Sequence, residues 1–364
     1  MPPRRRPTAP GPRPPKPAPP VYYALVVPGL EALAAAELTD AGATVRDTIS
    51  RIDKRDSIIT FNAPDLTAVL RCGLLEDVFQ VVIDQKTPPA RGAPKILART
   101  LERAPLERAL LAHNAVRPKT RARTFKVVTR VAGKQPFHRE DIEAPFIGAI
   151  GALLPRWTPS GGAAAIELWV HVVGERTVAG LRLSGDELAQ RRYKRAHLPA
   201  SLKPTVARAL VVLSEPQAGD VCLDPMAGAG TILRERAEAE RAALILGGDL
   251  DAAAVEAARA NAGKQAALAR WDATRLPLSQ ACVDVVITNP PYGRRMGTVA
   301  GLDRLYARSL REIARVLRPG GRCVVLTGEA AVLMRAMPPA LRVISKRRML
   351  LRGLSVTAFV MVRA

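Results

Sequence analysis

From Thr205 to the C-terminus the chain alternates short apolar runs with amphipathic ones, one of each at a time. "VCLDP", "ALILGGD", "VDVVITNPP" and "RCVVLTG" read as strands, and "TILRERAEAE", "DAAAVEAARANA" and "LYARSLREIARVL" between them as helices. Successive strands separated by single helices cannot pair as hairpins. They lie parallel in one sheet, with the crossover helices on its two faces. The last two apolar runs, "LRVISKRRML" and "LSVTAFVMVR", follow one another about Arg352-Gly353, which predicts an antiparallel hairpin at a sheet edge. In an open sheet of this kind ligands settle beyond the carboxyl ends of the strands, so the residues that close each strand are the candidates for chemistry.

Three such closures are distinctive. In "LDPMAGAGT", Gly228 and Gly230 allow a sharp turn and close approach of a ligand, and a helix opening at Thr231 presents unpaired N–H groups. Asp224 at the strand end suits a cationic ligand, an amine or a sulfonium, better than a pyrophosphate. A turn or cap role is its plain alternative. In "GGDLD", Asp249 is placed to accept from ribose hydroxyls, while Asp251 reads as the cap of the next helix. In "RWDATRLPL", Asp272 closes a short strand and would face an adenine amino group, although a lone surface acid looks the same in sequence.

"VVITNPPYGRRMG" is the most specific of these stretches. Two prolines cannot continue a ladder, having no N–H to donate. The carbonyls and the Asn289 amide are therefore left to face something other than a strand. An amide oxygen beside a proline carbonyl makes a pair of acceptors suited to a flat NH2 group, and Tyr292 offers a ring on which a base can stack. A plain strand-to-loop turn is the competing interpretation.

The N-terminal half differs. Residues 1 to 20 contain ten prolines and nothing to bury, which predicts a disordered basic tail. From 21 to 84 the order strand, helix, strand, strand, helix, strand is that of a ferredoxin-like domain. Residues 85 to 104 read largely as a linker. No acid appears between Glu107 and Glu140, and "TFKVVTRV" within that span alternates as a half-exposed strand. Arg121, Arg123, Lys126 and Arg130 would line one sheet edge and its entry loop, where phosphates could be met. Arg191, Arg192, Lys194 and Arg195 around Tyr193 form a second basic cluster between the halves. The whole chain carries 55 basic and 33 acidic side chains, a net charge of +22, which points to a polyanion as partner. The four scattered cysteines and four histidines share no ligand spacing, so neither a metal site nor a disulfide framework is expected. With no long apolar run, the chain is expected to be soluble and cytoplasmic.

"DPMAGAGT", "GGDLD", "WDATRLPL" and "NPPYG", in that order, resemble the motifs of class I S-adenosylmethionine-dependent methyltransferases that act on exocyclic amines. The whole chain resembles the THUMP-domain RNA methyltransferases of guanine N2, especially the tRNA enzymes, and "HLPASLKPTVARALV" extends the match. The resemblance implies an α/β fold, a Rossmann-like methyltransferase domain at 205–364 whose mostly parallel sheet carries the antiparallel C-terminal hairpin. It would be preceded by a ferredoxin-like domain at 21–84, a THUMP-type RNA-binding domain at 85–190 and a linker at 191–204. It further implies S-adenosyl-L-methionine as cofactor, with Asp224, Gly228 and Gly230 at its methionine part, Asp249 at the ribose and Asp272 at the adenine. Pro225, Ala227, Thr231 and Ala273 would complete that site, and Asn289, Pro290, Pro291 and Tyr292 would take the target. Arg294 and Arg295 would grip a phosphate of the RNA, unless they form a solvated turn. The family's common glycine loop is varied here as Ala227-Gly228-Ala229-Gly230, and the basic domain offers few landmarks beyond strand order. The implied protein is a monomer acting on tRNA without a metal. Ribosomal RNA, DNA adenine N6 and a protein glutamine amide are alternative targets of the same acceptor pair, and a non-enzymatic RNA-binding module or a nicotinamide dehydrogenase are alternatives of other classes.

Overall fold

The computed structural model describes residues 19–52, 56–118, 120–199, 201–292 and 299–364, and its elements run in chain order as two sheets with their helices. Residues 1–18 of the expected tail, and Arg294 and Arg295, lie outside the described residues.

The first part comprises β1 (Tyr22–Val26), α1 (Glu31–Asp40), β2 (Thr44–Ile52), β3 (Asp56–Asn62), α2 (Leu66–Val69) and β4 (Leu75–Lys86). There follow α3 (Ala93–Arg99), α4 (Arg103–Val116), β5 (Thr124–Ala132), α5 (Glu140–Leu153), β6 (Thr158–Pro159), β7 (Ile166–Val173), β8 (Arg176–Arg182) and α6 (Glu187–Gln190). All eight strands join one sheet in the order β2-β3-β1-β4-β8-β7-β5-β6. The β-α-β-β-α-β succession expected for 21–84 is present, but the boundary placed after residue 84 falls inside β4, which pairs with β1 on one side and β8 on the other. The polar end of that strand, Asp84-Gln85-Lys86, reads in sequence as a departure from it. In the fold Arg176 of β8 donates to both Asp84 carboxylate oxygens at 2.8 Å, so the polar residues are accommodated in the ladder. The expected linker at 85–104 likewise contains the end of β4 and all of α3, whose Ala93, Leu97 and Ala98 are buried.

The second part begins with α7 (Pro204–Leu213) and continues through β9 (Val221–Asp224), α8 (Thr231–Ala239), β10 (Leu244–Asp249), α9 (Ala252–Ala262), β11 (Ala267–Arg270) and β12 (Val283–Thr288). It closes with α10 (Val299–Val316), β13 (Leu317–Thr327), α11 (Ala330–Ala336), β14 (Leu341–Leu351) and β15 (Leu354–Arg363). Its seven strands are ordered β11-β10-β9-β12-β13-β15-β14. The first five are parallel, and β15 runs antiparallel to both of its neighbours, as the terminal hairpin predicts. The order reverses between β9, the first strand laid down, and β12, and the crevice beyond that switch is where such a sheet receives ligands.

One apolar core joins the two parts. Leu30, Leu38 and Leu75 from the N-terminal sheet and its helix share it with Val206 and Leu210 of α7, and with Cys222, Ile287, Val324 and Met349 of the second sheet. The turn after β1 sits directly on β14: Leu350 N–H donates to Pro28 O at 3.0 Å, and a Cβ at Gly29 would stand 2.1 Å from Arg348 O. Only a glycine permits that approach, and Gly29 also holds φ +98°.

Candidate active site

Beyond the carboxyl ends of β9, β10, β11 and β12 lies a cavity of about 920 Å3. Its lining includes Asp224, Asp249, Asp272, Asn289, Pro290, Pro291 and Tyr292, so residues spread over nearly seventy positions of sequence meet in one cleft. Pro225, Ala227, Gly228, Thr231 and Ala273 line it as well.

Asp224 is 1% exposed. Its Oδ1 accepts the Met226 N–H at 3.2 Å, while its Oδ2 and the nearby Thr288 hydroxyl on β12 are both buried without a hydrogen bond of normal geometry, the hydroxyl being close enough only to favour the ionised carboxylate. Burial above all, with the Asp249 carboxylate adding to it and the Met226 N–H and Thr288 hydroxyl opposing, pushes the Asp224 carboxyl up to about 7. A half-satisfied buried carboxylate aimed into a cleft is a receptor for a cationic N–H donor. Asp249 Oδ2 accepts the Gly228 N–H at 2.9 Å and its Oδ1 the Asp251 N–H at 3.1 Å. The two bonds fix the carboxylate against the glycine loop and leave each oxygen a second lone pair. Asp251 caps α9 by accepting from Ala253 N at 2.9 Å, the role its position suggested, and it also lines the cleft. Asp272 Oδ1 accepts from Thr274 N at 2.8 Å, a local turn that holds the acid at the rim.

Gly230 and Gly248 are demanded by packing. Gly230 holds φ +72° at the start of α8, and a Cβ there would stand 3.0 Å from the Cα and Cβ of Ala258 on α9. At Gly248 a Cβ would collide with the Trp271 indole at 2.3 Å, and that indole donates from Nε1 to Pro225 O at 3.0 Å, bracing the loop that carries Asp224.

Just past the end of the neighbouring strand β12, Asn289 Oδ1 is buried and has no hydrogen-bond partner among the described residues. This is the bare acceptor that the Asn-Pro-Pro-Tyr ending predicts. The turn is held from behind by a side chain the motifs did not reveal: Tyr306 of α10 is 1% exposed and donates to Pro291 O at 3.3 Å. Its hydroxyl also bonds Thr327 Oγ1 at 2.8 Å, and Thr327 Oγ1 accepts from Glu329 N at 2.9 Å. The chain of bonds thus links the loop after β12 to the loop after β13. Burial, with the Glu329 and Tyr292 charges adding, pushes the Tyr306 hydroxyl up to about 12, so it stays a donor across neutral pH. Tyr306 carries no sequence signal beyond its place in an amphipathic helix.

The segment at 191–204 is more than a linker. Leu198, Pro199, Ser201 and Leu202 line the cleft, and Asn261 of α9 anchors the segment. Asn261 Oδ1 accepts from Arg195 N at 2.8 Å and Ala196 N at 2.9 Å, and its Nδ2 donates to Ala196 O at 2.9 Å and to Ala229 O at 2.8 Å. All four of its bonding positions are used, tying the segment to the glycine loop.

The basic clusters divide. Arg121 and Arg123 are exposed, and along β5 Lys126 and Arg130 alternate with buried Phe125, Val127 and Thr129 as the pattern required. The Arg130 guanidinium lies 5.5 Å from the centre of the Trp169 ring. Arg192 and Arg195 are exposed too. Arg191 and Lys194 are committed inside the protein, which corrects their expected place on the surface. Arg191 donates to Glu235 Oε1 at 3.3 Å and to Gly73 O at 2.6 Å, and Lys194 Nζ to Leu202 O at 2.5 Å. Tyr193 between them gives its hydroxyl to the same Glu235 oxygen at 2.6 Å. A buried glutamate, invisible from the local run, draws the cluster inward. Among the described residues no group of His, Cys, Asp or Glu is arranged to hold a metal ion, and no helix is long and apolar enough to cross a membrane.

The sheet order and the acids closing β9 and β10 define a class I methyltransferase fold. Residues 191–354 match the model of the family described as UPF0020, RMKL-like, methyltransferase domain. The chain is 36% identical over 227 residues to a tRNA (guanine(6)-N2)-methyltransferase of Thermus thermophilus, covering 60% of this chain and 66% of that protein. It is 33% identical over 215 residues to a U6 snRNA (guanine-N(2))-methyltransferase of Mus musculus, covering 57% and 39%. The alignments thus span less than two thirds of these relatives' own lengths. Among solved structures, TrmN from Thermus thermophilus superposes with a TM-score of 0.77 at 27% identity, covering 95% of this chain and 100% of that one. The likeness to TrmN therefore runs through the N-terminal sheet as well.

Proposed function

We propose that the protein transfers a methyl group from S-adenosyl-L-methionine to the exocyclic N2 of a guanosine in tRNA. The observation that carries this is the juxtaposition, in one cavity, of two buried oxygens for which no hydrogen bond of normal geometry is made: Asp224 Oδ2 at the end of β9 and Asn289 Oδ1 just past the neighbouring β12. The residues present fit the cofactor. Asp224 would receive its amino group, the loop from Pro225 through Ala227, Gly228, Gly230 and Thr231 would admit its methionine chain, Asp249 would accept from the ribose hydroxyls, and Asp272 with Ala273 would face the adenine. When bound it supplies an electrophilic methyl carbon.

What the protein's own groups do is orient and polarise. The N2 lone pair of guanine is delocalised into the ring. Asn289 Oδ1 and the Pro290 carbonyl accept its two protons, turning the lone pair toward the cleft and stabilising positive charge that grows on nitrogen. Tyr292 stacks the base, and Tyr306 holds the turn in place through Pro291 O. Fixing the reactants in line supplies much of the acceleration, proximity and orientation being worth roughly 7 to 11 kcal/mol. No strong base is needed, because the methylated nitrogen is acidic enough to release its proton.

The target base must leave its helix, at roughly a few kcal/mol, and contacts of Arg121, Arg123, Lys126, Arg130, Arg192 and Arg195 with phosphates would offset this. The domains at 21–84 and 85–190 serve as one RNA-binding unit on a shared sheet, and the 85–190 portion is read as the THUMP-type module. The test is methyl transfer from labelled S-adenosylmethionine to unmodified tRNA, with the product nucleoside mapped by mass spectrometry. N2-methylguanosine in tRNA is expected. Label entering only DNA, only a release factor or only another RNA rejects the assignment.

A further inference from the structure

Asn289 Oδ1 and a proline carbonyl grip any flat amine, so the pair alone does not separate guanine from adenine or cytosine. Something else in the cleft must read the ring. Five carboxylates line the cavity among its described residues: Asp224, Asp249, Asp251, Asp272 and Glu329. The first four sit at or beyond the ends of β9, β10 and β11, on the side of the glycine loop. Glu329 alone stands on the other side, after β13, where the sheet passes beyond β12 and its Asn-Pro-Pro-Tyr turn.

Its place beside the target is set by Gly328. A Cβ there would stand 3.0 Å from Tyr292 Cδ2 and 3.3 Å from Cε2, so the tyrosine ring lies against the backbone of the preceding residue and Glu329 adjoins it. The Glu329 N–H is held by Thr327 Oγ1 at 2.9 Å, within the same bonded chain that reaches Pro291 O through Tyr306. The loop bearing the acid and the loop bearing the acceptors are thus fixed to one another. Glu329 is half-buried, and among the described residues no hydrogen bond or ion pair takes up its carboxylate.

We propose that Glu329 selects guanine by accepting the N1–H of the target base. This rests on the reading that Asn289 and Pro290 hold N2. In this proposal the base has N2 on that pair, its ring on Tyr292 and its Watson–Crick edge toward the residue adjoining that ring. Guanine offers a proton at N1. Adenine N1 and cytosine N3 offer lone pairs, which a carboxylate repels. Glu329 therefore both fills the donor of guanine and excludes the other amino-bearing bases.

The experiment first maps the guanosine that the wild-type protein methylates, then replaces it in the same RNA by 2-aminopurine, which keeps the amine but has a lone pair at N1. Turnover and binding of the two RNAs are compared for wild type, Glu329→Gln and Glu329→Ala. Wild type should prefer guanosine on the order of 10- to 100-fold. In Glu329→Gln, whose amide can donate to a bare N1, the preference should narrow by about tenfold or more, and Glu329→Ala should lose guanosine turnover without gaining the analogue. An unchanged guanosine-to-aminopurine ratio in both variants overturns the role of Glu329 and leaves the N2 assignment standing. Wild-type protein that methylates no guanosine N2 overturns the assignment and the role together.

Discussion

Replacing Asp224 by Asn should stabilise the ligand-free protein while weakening its grip on the cofactor. The Asp224 carboxyl moves from the ordinary 3.8 to about 7 on folding, chiefly because it is buried. A rise of that size corresponds to strain in the ionised form on the order of a few kcal/mol, an upper figure. Since the folded pKa lies above the unfolded one, the folded state holds the proton more tightly. Stability tied to this group is full below pH 3.8 and is lost as pH climbs through about 7. Asparagine keeps an oxygen for the Met226 N–H and is neutral at every pH, so at pH 8 the variant should be the more stable by roughly 1 to 3 kcal/mol. At pH 5 the difference should shrink toward zero. Urea unfolding of both proteins at pH 5, 6, 7 and 8 measures this directly. Affinity for S-adenosylmethionine by calorimetry should fall in wild type as pH drops below about 7, with proton release on binding near that pH, and should be weaker but pH-flat in the variant. Stability curves that run parallel from pH 8 to 5, with a pH-independent wild-type affinity, would refute the argument that Asp224 is a strained receptor for a cation.

Other outcomes follow from the same geometry. Asn289→Ala should lower methyl transfer on the order of 100- to 1,000-fold while leaving RNA affinity within about twofold, as measured by single-turnover kinetics and filter binding. Tyr306→Phe removes the bonds to Pro291 O and Thr327 but keeps the ring; loss of a buried bond of roughly 1 to 2 kcal/mol should reduce kcat about 5- to 30-fold with cofactor affinity unchanged. Gly230→Ala meets both a left-handed backbone and Ala258 at 3.0 Å, so thermal unfolding should show a loss of roughly 1 to 3 kcal/mol. Charge removal at Arg121 and Arg123 should weaken RNA binding and flatten its salt dependence by about 0.7 to 0.9 for each phosphate that is no longer neutralised, whereas Arg191→Ala should act on stability, since that side chain is spent on Glu235 and Gly73.

Much of the second sheet is legible in the chain because its period is local. Each strand is a short apolar run, each helix has its own amphipathic spacing, and Pro-Pro or Gly-rich punctuation marks the carboxyl ends where ligands bind. The acids Asp224 and Asp249 and the amide Asn289 are therefore readable one at a time. Parallel winding brings the ends of their strands to one side of the sheet, and all three line one cavity.

Tertiary structure alone decided the rest, because those features depend on partners far apart in the chain. Asp84 reads as the end of a strand until Arg176, distant in sequence, bonds it and carries the ladder on through Lys86. Arg191 reads as a surface cation until Glu235 is placed beneath it. Tyr306 and Asn261 look like ordinary helix residues, and only packing shows that one braces the Asn-Pro-Pro-Tyr turn and the other ties the glycine loop to the segment before α7. The sequence by itself determined where strands stop and what chemical groups stand at the stops. Which of those groups meet, which charges are spent internally and which buried oxygens are left without donors was settled by long-range contacts that no local pattern encodes.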